Sequence, residues 1–299
     1  MIGSPTRTPL PPELDGASNG RGTVVIEPRQ HGSGVRLREL WTSRKLLRFF
    51  ARRALEKRYA RTVLGKAWLI IRPALDVGSK ALIFGGLLQA PSNGVPYVLF
   101  FVCGMGIWHL FDRSVYWATR GMELNRSLLK KLYFPRILLP IASAVPGFVE
   151  FAVYVGFMAL ALAGYALVDG TLYLQLGPDL LAVLGAMALA ILLALGLGLW
   201  TSVLGARTRD VRFSLRYGLG FWFFLTPVIY PISDVPPPYD TIAMVNPMAP
   251  VVELFRFGLI DAGEVLPGGL VYCSVLVLVV LVSGLWFFSR AEAAAVDVL

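Results

Sequence analysis

Six apolar stretches, each long enough to cross a bilayer, divide the chain: roughly residues 67–89, 96–119, 137–168, 180–205, 213–232 and 267–289. A helix needs about 20 apolar residues to span the hydrocarbon core. A barrel strand needs only about ten, of alternating polarity. The pattern therefore predicts an all-α integral membrane protein with six transmembrane helices. The third stretch is too long for one straight span, and Pro140 and Pro146 predict a kink or a tilted start there. Ahead of the spans, Leu37, Leu40, Trp41, Leu47, Phe50, Ala51 and Ala54 recur at helical spacing, with Arg36, Arg38, Lys45, Arg48, Arg52 and Lys57 between them. That predicts an amphipathic interface helix, its basic face towards lipid headgroups. Residues 233–266 open with Pro236-Pro237-Pro238 and continue through Asn246-Pro247 to an apolar run over 251–260, interrupted by Glu253 and Arg256. The run is too short to cross, so it predicts re-entrant gate helices broken at Asn246-Pro247, a lid on one mouth of the bundle. Ala182, Ala186, Ala190, Ala194 and Gly198 leave one face of the fourth span bare for close packing.

Charge orients the spans. With both termini inside, the pieces 1–66, 120–136, 206–216 and 290–299 hold 14, 5, 4 and 1 Lys or Arg, 24 of the chain's 28. The opposite pieces hold Arg256 alone, beside seven acids: Asp169, Asp179, Asp234, Asp240, Glu253, Asp261 and Glu264. The positive-inside rule then predicts an N-in, C-in topology. The net charge of +9 follows from this bias and an anionic leaflet rather than from nucleic acid. Only 16% of residues are charged, against about a quarter in soluble domains. The layout predicted is a disordered cytoplasmic tail (1–34), an interface helix (35–66), a six-helix membrane domain (67–289) and a cytoplasmic C-terminus (290–299). Residues 1–30 are polar and rich in Pro and Gly, without the apolar core of a cleavable signal. Cys103 and Cys273 fall inside spans, where they read as small packing residues.

No chemistry for nucleotide hydrolysis is visible. The Gly65-Lys66 pair is followed by Ala67 rather than Ser or Thr, and lacks an upstream Gly at phosphate-loop spacing. HExxH and CxxC patterns are absent too, so the chain reads as a non-enzyme with no cofactor or metal of its own. Charges inside spans are costly and default to functional candidates. Arg72, Asp76 and Lys80 stand four apart on one face of the first span. Asp76 and Lys80 either line a hydrated channel or pair with one another; both readings stand at this point. Asp112, Arg113 and Glu150 read as interhelical partners. The run Phe221-Trp222-Phe223-Phe224, with Tyr230 above, offers flat rings on which sugars stack if some of them face a pore, though four adjacent residues point all round a helix. Arg52, Arg53, Lys57, Arg58 and Arg61 form a basic rim suited to an anionic lipid carrier.

Several motifs share one resemblance: Arg58-Tyr59 with Thr62, Leu64-Gly65 and Trp68; the segment 125–136; Arg209-Asp210-Val211-Arg212; Thr226-Pro227-Val228-Ile229-Tyr230-Pro231; and Asn246-Pro247. In this order on six spans, the chain from about residue 36 resembles the permease subunit of ABC type-2 exporters of lipid-linked polysaccharides, the O-antigen and teichoic-acid export family. The resemblance implies a homodimer in a bacterial inner membrane, bound to two copies of a cytoplasmic ATPase that supplies ATP and Mg. It implies a coupling helix over about 120–136, with Asn125, Leu128, Lys130, Lys131, Tyr133, Phe134, Pro135 and Arg136 meeting the ATPase. It implies gate helices over about 234–262, with Asn246, Pro247, Glu253 and Arg256, and a path bordered by the first and fifth spans, where Trp68, Arg72, Asp76, Lys80, Phe221, Trp222, Phe224 and Tyr230 lie. The cargo implied is a polyprenyl-pyrophosphate-linked glycan: O-antigen, teichoic acid or cell-wall galactan. Asp76 and Lys80 depart from the family's usual uncharged pattern.

Other classes fit less well. A drug- or lipid-exporting permease of the same superfamily shares the topology but is not expected to carry Tyr133-Phe134-Pro135-Arg136. A membrane glycosyltransferase needs an acid-rich catalytic face. A secondary transporter shows internal repeats with interrupted midplane helices, which this chain lacks.

Overall fold

The computed structural model describes residues 43–59, 63–129 and 134–297. The tail 1–34, Arg61, Lys130, Lys131 and Tyr133 lie outside them, as do the side chains of Lys57 and Arg58. Among the described residues the fold is helical, without strands. The helices are α1 (Arg44–Tyr59), α2 (Trp68–Lys80), α3 (Tyr97–Thr119), α4 (Gly121–Leu124), α5 (Arg126–Leu129), α6 (Leu138–Val168), α7 (Leu180–Arg207), α8 (Arg209–Leu225), α9 (Tyr239–Val245), α10 (Met248–Ile260) and α11 (Pro267–Asp297). By length and composition α3, α6, α7 and α11 can each cross a membrane. The pair α9–α10 bends by 82° at its break and is apolar enough to enter one.

Two of the six expected spans take other forms. α2 passes into a π-helix over Ala81–Leu87, so the first span is one continuous but non-uniform helix. The fifth was expected at 213–232. Instead α8 begins at Arg209 and stops at Leu225, because Pro227 and Pro231 supply no amide donor to continue the ladder. The third span runs unbroken through Pro146. Pro140 sits in the first turn of α6, where a missing amide costs nothing.

α3 is the hub. It is buried along most of its length, from Leu99 to Thr119, and packs on α6, α7, α8 and α10. Helices in lipid gain little from excluding water and depend on close backbone approach. The small stripe of α7 serves this: Ala186, Ala190 and Ala194 are fully buried. At the α7–α11 crossing a Cβ on Gly284 would lie 2.6 Å from the Gly196 carbonyl, so only glycine lets the two backbones touch. Cys103 and Cys273 are buried free thiols, as expected.

One end of the bundle gathers α1, α4, α5, the start of α6 and the end of α11. Met122 packs there with Ile137, Leu199, Val203 and Phe288. The other end gathers residues 90–96, 169–179 and the α9–α10 pair, tied by Asn93 Nδ2 to the Ala262 carbonyl at 3.1 Å and by Gln175 N to the Leu259 carbonyl at 2.9 Å.

Candidate functional site

A cleft of about 760 Å³ opens between α2, α3, α6 and α8. Four-residue spacing puts Trp68, Arg72, Asp76 and Lys80 on its α2 wall. α3 contributes a face at three- and four-residue steps, with Trp108, His109, Asp112, Arg113, Tyr116 and Trp117. Glu150 and Tyr154 come from α6, and Arg216, Phe223 and Phe224 from α8.

A chain of charged and polar side chains crosses the cleft. Lys80 Nζ donates to Asp76 Oδ1 at 2.6 Å. The second Asp76 oxygen lies 3.6 Å from His109 Nε2, and His109 Nδ1 lies 3.8 Å from Asp112 Oδ2. Arg113 Nε sits 3.3 Å from both Asp112 Oδ2 and Glu150 Oε2. The imidazole stacks on Tyr154 with centroids 4.8 Å apart. Lys80 also lies over the Phe223 ring at 4.9 Å. An isolated charge costs several kcal/mol to bury, and pairing with opposite charge lets Asp76, Lys80, Asp112, Arg113 and Glu150 persist among apolar helices. Arg72 and Arg216 are exposed on the same walls, Arg72 lying over Trp68 at 5.2 Å. The result is a polar cleft with aromatic walls, which can offer hydroxyl-bearing ligands both hydrogen bonds and ring faces.

Asp76 and Lys80 pair with one another, and the pair stands in the wall of the cleft. Phe224 joins this site with Trp68 and Arg72. The remaining three expected pore residues lie apart from it. Phe221 is exposed, Tyr230 donates to the Phe224 carbonyl at 3.0 Å, and Trp222 Nε1 donates to Asn246 Oδ1 at 2.7 Å. His109, Tyr154 and Arg216 escaped the sequence reading. The spacing of Met105, Trp108, His109, Asp112 and Tyr116 along α3 was the signal that could have found the first.

The α9–α10 break is a second polar node. Asn246 Oδ1 accepts from Trp222 Nε1 and from Met248 N at 3.0 Å. Its amide donates to the Leu225 carbonyl at 3.1 Å and to Thr226 Oγ1 at 2.9 Å. All four bonding positions of the side chain are used, and Asn246-Pro247 is thereby fastened to the end of α8. Glu253 and Arg256, placed by sequence on the gate, are fully buried. Arg256 donates to the Pro227 and Val228 carbonyls, each at 2.6 Å, and to the Phe100 carbonyl and Glu253 Oε1, each at 3.3 Å. Glu253 Oε2 accepts from Glu264 N at 3.0 Å. A Cβ on Gly104 would strike the guanidinium.

At the opposite end, where a single helix was expected over about 120–136, the described residues up to 129 form two one-turn helices, α4 and α5, and 136–137 turn into α6. Asn125 N bonds the Met122 carbonyl while its side-chain amide bonds that of Gly121, closing α4 before α5 begins. Glu123 pairs with Arg120 and with Arg212 of α8. Phe134 packs inward on Phe50 of α1 with centroids 5.0 Å apart, and Leu128 joins the same cluster. Pro135 and Arg136 are half-buried in the turn. On α1, Arg52 is exposed and pairs with Glu56 at 2.8 Å, while Arg53 is half-buried.

Residues 45–260 match the family described as ABC-2 type transporter. An O-antigen export system permease protein, RfbA, of Myxococcus xanthus is 31% identical over 202 residues, covering 67% of this chain and 73% of the relative. A protein of the same description from Klebsiella pneumoniae is 23% identical over 261 residues, 85% of this chain and 95% of its own. The polysialic acid transport protein KpsM of Escherichia coli is 25% identical over 244 residues, 81% and 92% respectively.

Proposed function

The chain belongs to the ABC-2 type transporter family, and from that premise we propose that it is the permease subunit of an ATP-driven exporter of lipid-linked polysaccharide. The observation that carries the reading is the charged, aromatic-walled cleft in a chain whose relatives are O-antigen and polysialic acid export proteins. The cargo proposed is a polyprenyl-pyrophosphate-linked glycan, moved from the cytoplasm to the outer face of a bacterial inner membrane. The working unit is a homodimer with two ATPase subunits, which bind ATP and Mg; this chain holds neither. The α4–α5 end, with 130–136, faces the ATPase, and both termini lie on that side. The α9–α10 pair gates the outer mouth. Arg52, Arg53, Lys57, Arg58 and Arg61 gather the anionic carrier from the inner leaflet.

Alternating access in such a subunit requires walls that move while the hub stays fixed. α3 supplies the hub through its burial, and α2 and α8 are the walls that carry the cleft's charges and rings. Conditional depletion of the chain in its native cell tests the reading. Lipid-linked glycan is expected to accumulate, shielded from periodate added outside the cell, while surface glycan falls. Unchanged surface glycan with altered sensitivity to hydrophobic drugs would assign the chain to drug export.

A further inference from the structure

α2 is attached to the bundle by little apolar burial. Of its 13 residues only Pro73 and Val77 are buried, and none is buried in the π-helical turn that follows. With so little packing, the polar bridge from Asp76 weighs heavily in where this wall sits. That bridge passes through His109, which is 8% exposed and has no hydrogen bond at either ring nitrogen. Each nitrogen instead faces a carboxylate, Nε2 towards Asp76 and Nδ1 towards Asp112.

The chemistry of imidazole makes this arrangement incomplete when the ring is neutral. One nitrogen then donates and the other presents a lone pair, so either tautomer satisfies one carboxylate and repels the other. The imidazolium donates to both. Charge points the same way: the ring stands between two carboxylates, Asp76 and Asp112, and a proton on it is attracted by both. Losing that proton strands no carboxylate, because Asp76 keeps Lys80 and Asp112 keeps Arg113. The other groups facing the ring's surroundings are Glu150 and Tyr154 from α6, Arg216 from α8 and Arg72 further along α2.

We propose that His109 is a positioning residue, a proton-controlled clasp that fixes α2 against α3. Protonated, it bridges Asp76 and Asp112 and holds the cleft narrow; neutral, it leaves Asp76 to Lys80 and α2 moves outward. Imidazole is the side chain that ordinarily changes charge between about pH 5 and 8, and the width of the cleft follows the protonation of this ring. The clasp stands on geometry alone; only its consequence, that pH tunes opening of the path, rests on the export reading.

The test is a spin-label distance between exposed positions on α2 and α6, Leu75→Cys and Leu160→Cys, with Cys103 and Cys273 replaced by Ala. The full chain is placed in lipid nanodiscs, diluted with unlabelled chain, without nucleotide, glycan or ATPase. The short-distance population is expected to rise about threefold from pH 8 to pH 5, and His109→Asn is expected to remove that dependence. Asp76→Asn keeps the histidine but removes one of its carboxylates, and is expected to abolish the dependence as well, which decides the matter if the first variant folds poorly. A distance insensitive to pH in the unsubstituted chain, or one that still shifts in either variant, overturns the clasp. Because no transport is measured, failure here leaves the export reading standing, and failure of that reading leaves the clasp.

Discussion

Arg256 heads the largest fully buried side chains among the described residues, and it shows what a charge must find to live inside this bundle. Its guanidinium meets three backbone carbonyls and one carboxylate, and lies 3.6 Å from the centre of the Phe100 ring. The Pro227 and Val228 carbonyls lie just past the end of α8, where Pro231 has no amide to offer Pro227, and Arg256 supplies donors to both. Removing one partner of a buried pair strands the other, at about 3–5 kcal/mol. Arg256→Met is therefore expected to lower the thermal unfolding midpoint in detergent sharply. The double variant Arg256→Met with Glu253→Gln should recover part of the loss, since no lone carboxylate remains. A single variant as stable as the double would show that Glu253 does not depend on Arg256. The i,i+3 spacing of this pair was visible in the sequence. Its carbonyl partners, 28 and 29 residues away and on α3, were not, because backbone acceptors leave no mark in side-chain pattern.

At the scale of elements, the α9–α10 break is where sequence and structure agree most closely. Asn246-Pro247 predicted a turn, and the helices part there because proline restricts the preceding residue and the Asn side chain takes the Met248 amide. What the pattern could not show is that the same side chain fastens the break to Trp222 of α8 and to Thr226 just past its end. Asn246→Ala leaves several of these groups unmet and is expected to cost about 1–3 kcal/mol. Hydrogen exchange over 239–248 should then quicken, by about tenfold for each 1.4 kcal/mol lost; unchanged exchange would mean the break is held by packing alone. Four long spans were legible from uninterrupted apolar runs, and the stripe on α7 from its period of four. The limits of α8 were not, because its first turn, Arg209-Asp210-Val211-Arg212, reads as a polar loop. Trp222 was indistinguishable from its aromatic neighbours until Asn246 fixed its direction. His109, one imidazole in an apolar helix, acquires meaning only from carboxylates on either side.

For the molecule as a whole, the described helices divide into a dense hub around α3 and a thinly packed wall, α2, with the charged cleft between them. That asymmetry leaves α2 far less held by packing than α3. The most direct test is reconstitution of the chain with its ATPase in proteoliposomes, loaded on the ATPase side with a fluorescently tagged polyprenyl-pyrophosphate glycan. The account predicts that the glycan becomes accessible to a glycosidase on the opposite face only while ATP is hydrolysed, and not with a non-hydrolysable analogue. Glycan that stays on the loading side during hydrolysis, or crosses equally without it, would contradict the reading of this chain as an ATP-driven polysaccharide permease.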